Sequence, residues 1–315
     1  MSTVFVVGSL NIDQNVRVSS LPQAGETVRG TDATFSPGGK GGNQAVAAAR
    51  AGARVKFTGA VGDDSHGHRI REVLSDARID HSQLRIVSNA PTGTAIIAVD
   101  DRGENQIIVS PGANSSLTAG DVEAGLDAMQ AGDVLVLQLE IAAALVRQAA
   151  AIARSRGAFV ILNAAPAPRQ IDGLLDDVDL LVVNEQEIRA VAEISGTPPA
   201  DHLELVQSLP PVLGAAIVCT VGAEGSFTVL DGELVHVPAS TAAAVDTTGA
   251  GDTFVGYLAA SLLATPGDLA GAMRLATSAA AIAVTRTGAM ESIPWRGELP
   301  AAPTSATLPT NFVSN

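Results

Sequence analysis

Two aspartates at either end of a short run of small residues are the side chains best placed for chemistry. They are Asp246 and Asp252, in the segment Asp-Thr-Thr-Gly-Ala-Gly-Asp, and an apolar run begins soon after them at Phe254. That run predicts a buried helix, so the small residues would lie at its N-terminus, where unpaired backbone N–H groups attract anions. Asp252 would then be suited to deprotonating a hydroxyl group that attacks a phosphoryl group. Taken alone, the segment favours a simpler interpretation, a capped helix after a tight turn.

A second glycine-rich segment, residues 37–44, has the sequence Pro-Gly-Gly-Lys-Gly-Gly-Asn-Gln and precedes an alanine-rich helical pattern. It is neither a Walker A loop nor a Gly-x-Gly-x-x-Gly dinucleotide fingerprint. Its glycines allow a ligand to approach the backbone or a hinge to move, and Asn43 could direct an amide at a substrate hydroxyl. A flexible turn with a solvated Lys40 is the alternative, but four glycines around one lysine and one asparagine favour a functional loop.

Other polar residues stand where predicted strands end. Asn11 and Asp13 lie two residues apart, so they share one side of an extended chain and could bind a polyhydroxylated ligand or form an Asx turn. Glu140 could accept a hydrogen bond from a sugar, although its position alone favours the first turn of a helix. Asn184 and Glu187 have the spacing of a capping box, which their segment alone favours over the organisation of Mg²⁺ and phosphate.

Two loops late in the chain complete the set of candidates. Residues 220–225, Thr-Val-Gly-Ala-Glu-Gly, could cradle nucleotide phosphates or merely connect two strands. Residues 285–292 follow the last predicted helix, and their carbonyl groups, with the Asp246 carboxylate, could coordinate a monovalent cation. Taken alone, this loop favours a helix C-cap with Gly288 in the left-handed conformation. The five histidines have neither metal-ligand spacing nor a cysteine partner, so none is given a catalytic role.

Short apolar runs alternate with helical patterns along most of the chain. The predicted strands cover residues 3–8, 54–60, 133–138, 158–163, 179–184 and 215–221. The predicted helices cover residues 42–52, 66–77, 118–128, 141–156, 185–194, 201–209, 250–264 and 267–284. An Asp-Gly turn also predicts a β-hairpin over residues 227–237. The alternation predicts a parallel sheet with helices on both faces, in which ligands bind at the carboxyl ends of the strands.

Residues 14–36 and 92–110 depart from this alternation. Both hold segments of alternating polarity, and residues 101–104, Asp-Arg-Gly-Glu, predict a hairpin turn in the second. They predict a small β-sheet inserted into the α/β domain, acting as a lid over substrate and as a contact between two subunits. We therefore expect one α/β domain over residues 1–298 and a disordered tail, rich in Pro, Ala, Thr and Ser, over residues 299–315.

Composition narrows the class of protein. With 315 residues, 46% of them hydrophobic, the chain can bury a large core. A net charge of −14 argues against a nucleic-acid partner, and a single cysteine, Cys219, excludes a disulfide within the chain. The first residues predict a strand rather than a signal peptide, and no apolar stretch reaches the roughly 18 residues of a membrane span. We therefore expect a cytoplasmic protein.

Together these segments resemble the ribokinase family of sugar kinases, also called PfkB-type carbohydrate kinases. The resemblance runs from about Val4 to Trp295. Both family signatures are present, at residues 38–45 and 246–252, and the Asn-x-x-Glu motif begins at Asn184. The resemblance implies a three-layer α/β fold, with a mostly parallel central sheet flanked by helices and a small inserted β-sheet lid. It also implies ATP-dependent phosphorylation of D-ribose on its 5-hydroxyl group, with Mg²⁺ and an activating K⁺, by a homodimer joined through the lid sheets.

The resemblance implies a role for individual residues as well. Asp252 would be the general base, and backbone N–H groups of Gly249, Ala250 and Gly251 would receive the phosphoryl group. The implied sugar contacts are Asn11, Ile12, Asp13, Gly39, Lys40, Gly41, Gly42, Asn43, Glu140 and Asp252. The implied nucleotide and magnesium contacts are Asn184, Glu187, Thr220, Val221, Gly222, Ala223, Glu224, Gly225, Gly251 and Thr277. The implied potassium site comprises Asp246, Thr248, Ala283, Arg286, Gly288 and Ser292.

Three alternatives remain open at this point. The first is a kinase of the same family that acts on deoxyribose, fructose or a nucleoside, and the second is a non-catalytic sugar-binding or regulatory protein. The third, a dinucleotide-dependent dehydrogenase, is weaker, because the required glycine fingerprint does not follow the first predicted strand.

Overall fold

The computed structural model describes residues 2–300. Its strands, in chain order, are β1 (Val4–Val7), β2 (Asn11–Arg17), β3 (Thr34–Gly38), β4 (Val55–Thr58), β5 (Ala60–Gly62), β6 (Arg85–Val87), β7 (Gly93–Val99), β8 (Asn105–Ser110), β9 (Val134–Leu137), β10 (Phe159–Asn163), β11 (Leu180–Asn184), β12 (Ala216–Val221), β13 (Gly225–Leu230) and β14 (Glu233–Val237). Its α-helices are α1 (Lys40–Arg50), α2 (Ser65–Asp76), α3 (Ala119–Leu126), α4 (Ala143–Ser155), α5 (Glu185–Ile194), α6 (His202–Ser208), α7 (Pro210–Leu213), α8 (Ala250–Ala264) and α9 (Leu269–Ala283).

Within the described residues, eight strands form one sheet in the order β14-β13-β12-β11-β10-β9-β1-β4. The strands from β12 to β4 are parallel, and the β13–β14 hairpin adds two antiparallel strands at one edge. Strands such as β1, β9 and β11 are apolar on both faces, which is typical of a sheet covered on both sides by helices. The predicted α/β class is confirmed.

Alternate residues of β1 belong to the two hydrophobic cores of the molecule. Val4 and Val6 pack with α1, α2, α8 and α9, whereas Phe5 and Val7 pack with α3, α4, α5 and α6. The predicted three-layer arrangement therefore follows from period-two burial along the strands. Leu299, assigned to the predicted tail, is buried in the first of these cores, and the tail from residue 301 onward lies outside the described residues.

The lid is a second, four-stranded sheet with the order β3-β2-β7-β8. It is formed from the two stretches that interrupt the α/β alternation, and residues 101–104 form the predicted turn between β7 and β8. Asn11 and Asp13 belong to β2 of this lid. The expectation that they end the first strand is therefore wrong, because β1 stops at Val7 and, after three intervening residues, the chain enters the second sheet at Asn11.

Helices α1 and α8 pack closely, and this contact brings the two glycine-rich segments together. A Cβ atom added to Gly256 of α8 would lie 2.4 Å from Ala47 Cβ and 2.5 Å from the Gln44 carbonyl oxygen of α1. Such a short distance between helices is possible only because Gly256 has no side chain. The first turns of both helices consequently meet at the carboxyl edge of the sheet. No helix within residues 2–300 combines the length and apolar character needed to cross a membrane.

Candidate active site

Asp252 lies in the first turn of α8, after Gly249, whose φ of 75° starts the helix from the left-handed region. Its side chain is buried, and both carboxylate oxygens accept hydrogen bonds from α1. Asn43 Nδ2 donates to Oδ2 at 2.8 Å, and Gln44 Nε2 donates to Oδ1 at 2.8 Å. The Asn43 side-chain oxygen is buried and has no hydrogen-bond partner in the described part of the chain, which is uncommon for a buried polar atom.

Glu140 lies beneath the N-terminus of α1. Its Oε2 accepts hydrogen bonds from Ser9 Oγ at 2.5 Å and from the Lys40 backbone N–H at 3.0 Å. The alternative that Glu140 belongs to the first turn of the following helix is wrong, because α4 begins only at Ala143. A carboxylate at the start of α1 is stabilised by the helix dipole, and its second oxygen is left for a ligand.

Asp13 is buried beside other acidic groups. Burial, then the nearby carboxylates of Glu140, Asp252 and Glu291, raise its pKa to about 7, while Lys40 acts in the opposite direction. Burial and the neighbouring carboxylates therefore favour a protonated Asp13 up to neutral pH.

Lys40 supplies positive charge within this acidic cleft. Burial acts to lower its pKa, but the surrounding carboxylates outweigh burial and raise it. The carboxylates concerned, in order of decreasing effect, are Asp252, Glu140, Glu187 and Asp13. The side chain is therefore held as a cation, in a place where the phosphates of a nucleotide would be attracted.

Four predicted sugar contacts lie beside the cleft as packing positions. Ile12 is fully buried in the core, and Gly41 and Gly42 are buried against the connection between β1 and β2. A Cβ on Gly41 would lie 2.6 Å from the Ser9 nitrogen, so these glycines let α1 approach the sheet. Gly39 has φ of 87° and starts α1. The structure gives the three glycines backbone roles and Ile12 a place in the core, and the contact of all four with sugar stays a prediction.

A cavity of about 500 Å³ adjoins the N-terminus of α8 on the side away from α1. It is lined mainly by apolar atoms of small side chains. Six of the predicted nucleotide contacts line it, namely Thr220, Gly222, Ala223, Gly225, Gly251 and Thr277. Val221 is instead buried in the sheet, and the Glu224 carbonyl oxygen bonds to His236 Nε2 at 2.7 Å. A shallower hollow of about 810 Å³ between α3 and α4 contains none of the predicted site residues.

Asn184 and Glu187 form the capping box of α5. Asn184 Oδ1 accepts the backbone N–H of Glu187 at 2.8 Å, and Glu187 Oε2 accepts the backbone N–H of Asn184 at 2.8 Å. The pKa of Glu187 is raised, chiefly by burial and additionally by Asp252, while the Asn184 N–H and Lys40 oppose the rise. The charges of Lys40 and Asp252 thus act on the Glu187 carboxyl group.

The loop that holds Asp246 packs against the loop after α9. Asp246 accepts the backbone N–H of Thr248 at 2.9 Å and that of Gly288 at 2.9 Å. Burial works to raise its pKa, but these hydrogen bonds lower it, so the carboxylate stays ionised. Three other residues of the predicted potassium site, Ala283, Arg286 and Ser292, make contacts within the protein. The Arg286 side chain pairs with Glu298, and its backbone N–H donates to the Ala283 carbonyl at 3.0 Å. Ser292 Oγ donates to the Ala289 carbonyl at 2.8 Å.

The sequence analysis gave no role to several polar residues that the structure places at the site. They are Ser9, Gln44, Asn114, Gln138 and Asn163, all buried. Gln44 is the last residue of the glycine-rich segment 37–44, and Gln138 and Asn163 stand at strand ends; these positions are the available sequence signal. Asn114 lies in the turn after β8 and carries no such signal, because its partners are far away in sequence.

Comparisons with known proteins identify the family of the chain. A family model described as pfkB family carbohydrate kinase matches residues 1–296. The chain is 38% identical to a ribokinase of Haemophilus influenzae, across 94% of this chain and 96% of the relative. It is 33% identical to a deoxyribokinase of Salmonella typhi, across 92% of this chain and 95% of the relative. Ribokinase of Arabidopsis thaliana, solved in complex with ribose and ATP, superposes with a TM-score of 0.83 at 32% identity. The superposition covers 94% of this chain and 97% of that structure. The chain belongs to the pfkB family of carbohydrate kinases.

Proposed function

We propose that this protein is an ATP-dependent ribose kinase that forms ribose 5-phosphate and ADP. One observation carries the proposal: a buried carboxylate, Asp252, stands at a helix N-terminus between a polar cleft and an apolar cavity. The polar cleft holds Asn11, Asp13 and Glu140, which suit a polyhydroxylated acceptor, and the cavity suits a nucleotide base. Identity of 38% to a ribokinase over nearly the whole chain supports ribose as the acceptor.

The reaction needs a base and a site for the transferred phosphoryl group. O5 of ribose attacks the γ-phosphorus, the bond from that phosphorus to the oxygen it shares with the β-phosphate breaks, and the hydroxyl proton passes to Asp252. The Ala250 N–H donates to the Thr247 carbonyl at 3.2 Å. Gly249 and Gly251 therefore carry most of the proposed anion contact, and Lys40 adds positive charge.

The residues also fit divalent and monovalent cations. The cleft combines Glu187 with Asp13, Glu140 and Asp252, an oxygen donor set that hard cations prefer, although no group of three or more His, Cys, Asp or Glu within residues 2–300 forms a ready metal cluster. Glu187 would hold Mg²⁺ through water, and Mg²⁺ would neutralise charge on the nucleotide phosphates. Asp246 is held ionised and keeps lone pairs beyond its two N–H contacts, so with loop carbonyls it fits K⁺.

The lid sheet has an apolar face that a second copy of the chain would cover. Phe35, Ile96 and Ile108 stand in one row across β3, β7 and β8, on the face opposite to Asn11 and Asp13. Ile108 is 67% exposed, and the other two are more than 40% exposed. Gln14 of β2 stands between Phe35 and Ile96 in this row. Because monomers rarely leave several large apolar side chains exposed on one face, we infer a homodimer formed through the lids, testable by sedimentation of Ile108→Asp at several concentrations.

A kinase for 2-deoxyribose is the second candidate, favoured by the 33% identity to a deoxyribokinase. The test is ADP release by the full-length protein with ribose, 2-deoxyribose, fructose and a nucleoside, each with and without K⁺. Ribose should give the highest kcat/KM, and the Asp252→Asn variant provides the background rate. A higher kcat/KM for 2-deoxyribose would replace the first candidate by the second, and ADP release independent of any acceptor would reject both.

A further inference from the structure

A buried chain of side-chain amides leads from the central sheet to the Asp252 carboxylate. Gln44 Nε2 donates to Asp252 Oδ1 at 2.8 Å and to Asn163 Oδ1 at 3.0 Å, and Gln138 Nε2 donates to Gln44 Oε1 at 2.7 Å. Gln44 and Gln138 are fully buried, and Asn163 is 7% exposed. These hydrogen bonds join α8 to α1 and to the ends of β9 and β10.

A backbone carbonyl sets the direction of every bond in this chain. Asn163 Nδ2 donates to the carbonyl oxygen of Val182 in β11 at 3.1 Å. Because a carbonyl only accepts, the Asn163 nitrogen must face β11 and its oxygen must face Gln44. The Gln44 amide nitrogen consequently points at two acceptors, and its oxygen receives Gln138. Rotating the Gln44 amide by half a turn would place oxygen against Asp252 and lose all three bonds.

Gln138 is the amide of this series farthest from Asp252, and it is held in place by packing. A Cβ atom on Gly8 would lie 1.9 Å from Gln138 Oε1, so the absence of a side chain at Gly8 makes room for this amide. Gln138 Oε1 has no hydrogen-bond partner in the part of the chain that the structure describes. An unpartnered buried oxygen is costly, and within residues 2–300 the one side-chain hydrogen bond of Gln138 is the bond that orients Gln44.

We propose that Gln44, held by Asn163 and Gln138, is a positioning residue that fixes the plane of the Asp252 carboxylate for proton transfer. Asn43 holds one oxygen, and a single hydrogen bond would leave the carboxylate free to rotate about its Cβ–Cγ bond. The second bond, from Gln44 to the other oxygen, removes this freedom. The inference rests on the proposed role of Asp252 as the general base.

The first test is the Gln44→Met variant, which keeps the length of the side chain and removes the amide. We expect kcat to fall by roughly 10- to 100-fold, because a misplacement of about 1 Å at a reacting group has effects of this size. The KM values for ribose and ATP should stay within about twofold. Asn163→Leu should show the same pattern with a smaller fall, and it replaces Gln44→Met if the latter does not fold. Gln207→Met, on the exposed side of α6, is the matched control.

A double-mutant cycle separates positioning from general support of the fold. In an Asp252→Ala background, Gln44→Met should cause no further loss of the residual rate. The proposal would be overturned if Gln44→Met lowered the rate in the Asp252→Ala background as much as it does in wild type. It would also be overturned if the kcat of Gln44→Met stayed within twofold of wild type, or if its KM rose as much as its kcat fell. Normal turnover by Asp252→Ala would instead reject the general base itself, so the two failures can be told apart.

Discussion

Asn114 binds Asn11 across the base of the lid, with Asn114 Nδ2 donating to Asn11 Oδ1 at 2.9 Å. The same nitrogen donates to the Leu10 carbonyl at 3.0 Å, and Asn114 Oδ1 accepts the Leu10 N–H at 3.0 Å. The bond from Asn114 fixes the orientation of the Asn11 amide, with its oxygen directed at Asn114. We expect the Asn11 amide nitrogen to donate a hydrogen bond to a sugar oxygen and the Glu140 carboxylate to accept one from a sugar hydroxyl group.

Replacing Asn114 by Ala should weaken sugar binding selectively. We expect the ribose KM to rise about 10-fold, because Asn11 can then rotate and two backbone groups of Leu10 lose their partner, at a cost of about 1–3 kcal/mol for each unsatisfied group. The KM for ATP should not change. Steady-state kinetics in both substrates measure this, with Asn89→Ala in an exposed loop as control. Equal changes in both KM values would show that Asn114 supports the fold and not Asn11.

Asp252→Asn should fold normally and lose most turnover. The variant keeps one oxygen to accept a hydrogen bond from α1, but it cannot take a proton from the sugar hydroxyl. We expect kcat to fall by about 10²- to 10⁴-fold while the ribose dissociation constant, measured by calorimetry, stays close to that of wild type. Near-normal turnover would remove the general-base assignment.

Stability of the ligand-free protein should depend on pH through Asp13. Its pKa is about 7 in the folded protein and 3.8 as the ordinary value, so the folded state binds the proton more tightly. The stability from this proton is fully present below about pH 3.8 and is lost as pH rises to about 7. The loss is at most about 4 kcal/mol, since one pKa unit corresponds to about 1.4 kcal/mol.

The measurement is urea unfolding of wild type and Asp13→Asn between pH 5 and 8. The variant cannot ionise, so its free energy of unfolding should decline less over this range and exceed that of wild type at pH 8. Asp63→Asn, at an exposed position, should follow the wild-type curve. Parallel curves for wild type and Asp13→Asn would mean that Asp13 is not protonated in the empty cleft.

Two glycines of α8 should respond oppositely to alanine. A Cβ on Gly251 meets nothing within 4 Å, whereas a Cβ on Gly256 would lie 2.4 Å from Ala47 Cβ. Gly251→Ala should keep or slightly raise the melting temperature, because alanine favours a helix by up to about 1 kcal/mol, yet lower kcat/KM for ATP by crowding the proposed anion site. Gly256→Ala should destabilise by about 1–3 kcal/mol through overpacking. Thermal melts and kinetics of both variants decide this, and unchanged ATP kinetics in Gly251→Ala would contradict the anion site.

The features that could be predicted from sequence are those encoded by local sequence patterns. Period-two and helical patterns gave the sheet, the helices and the lid, and the spacing of glycines around Lys40 and before Asp252 gave two parts of the site. The position of Glu140 alone favours the first turn of the next helix, and this interpretation is wrong, because its hydrogen-bond partner at the start of α1 lies 100 residues away. The bond between Gln44 and Asp252 spans 208 residues, and that between Asn114 and Asn11 spans 103. No local pattern encodes such pairs, which depend on how α1, α8 and the lid pack.

Asp246→Asn should reduce activation by K⁺. The Asp246 carboxylate is held ionised by the N–H groups of Thr248 and Gly288, and an asparagine can keep one of these contacts while losing the negative charge. The loop precedes α8 directly, so a poorly filled cation site would disturb the amides at residues 249–251. We expect the KCl concentration for half-maximal rate to rise at least 10-fold, measured at constant ionic strength with tetramethylammonium chloride.

Asp231→Asn, in the exposed turn between β13 and β14, should behave as wild type. An unchanged KCl response in Asp246→Asn would show that this loop does not hold the cation.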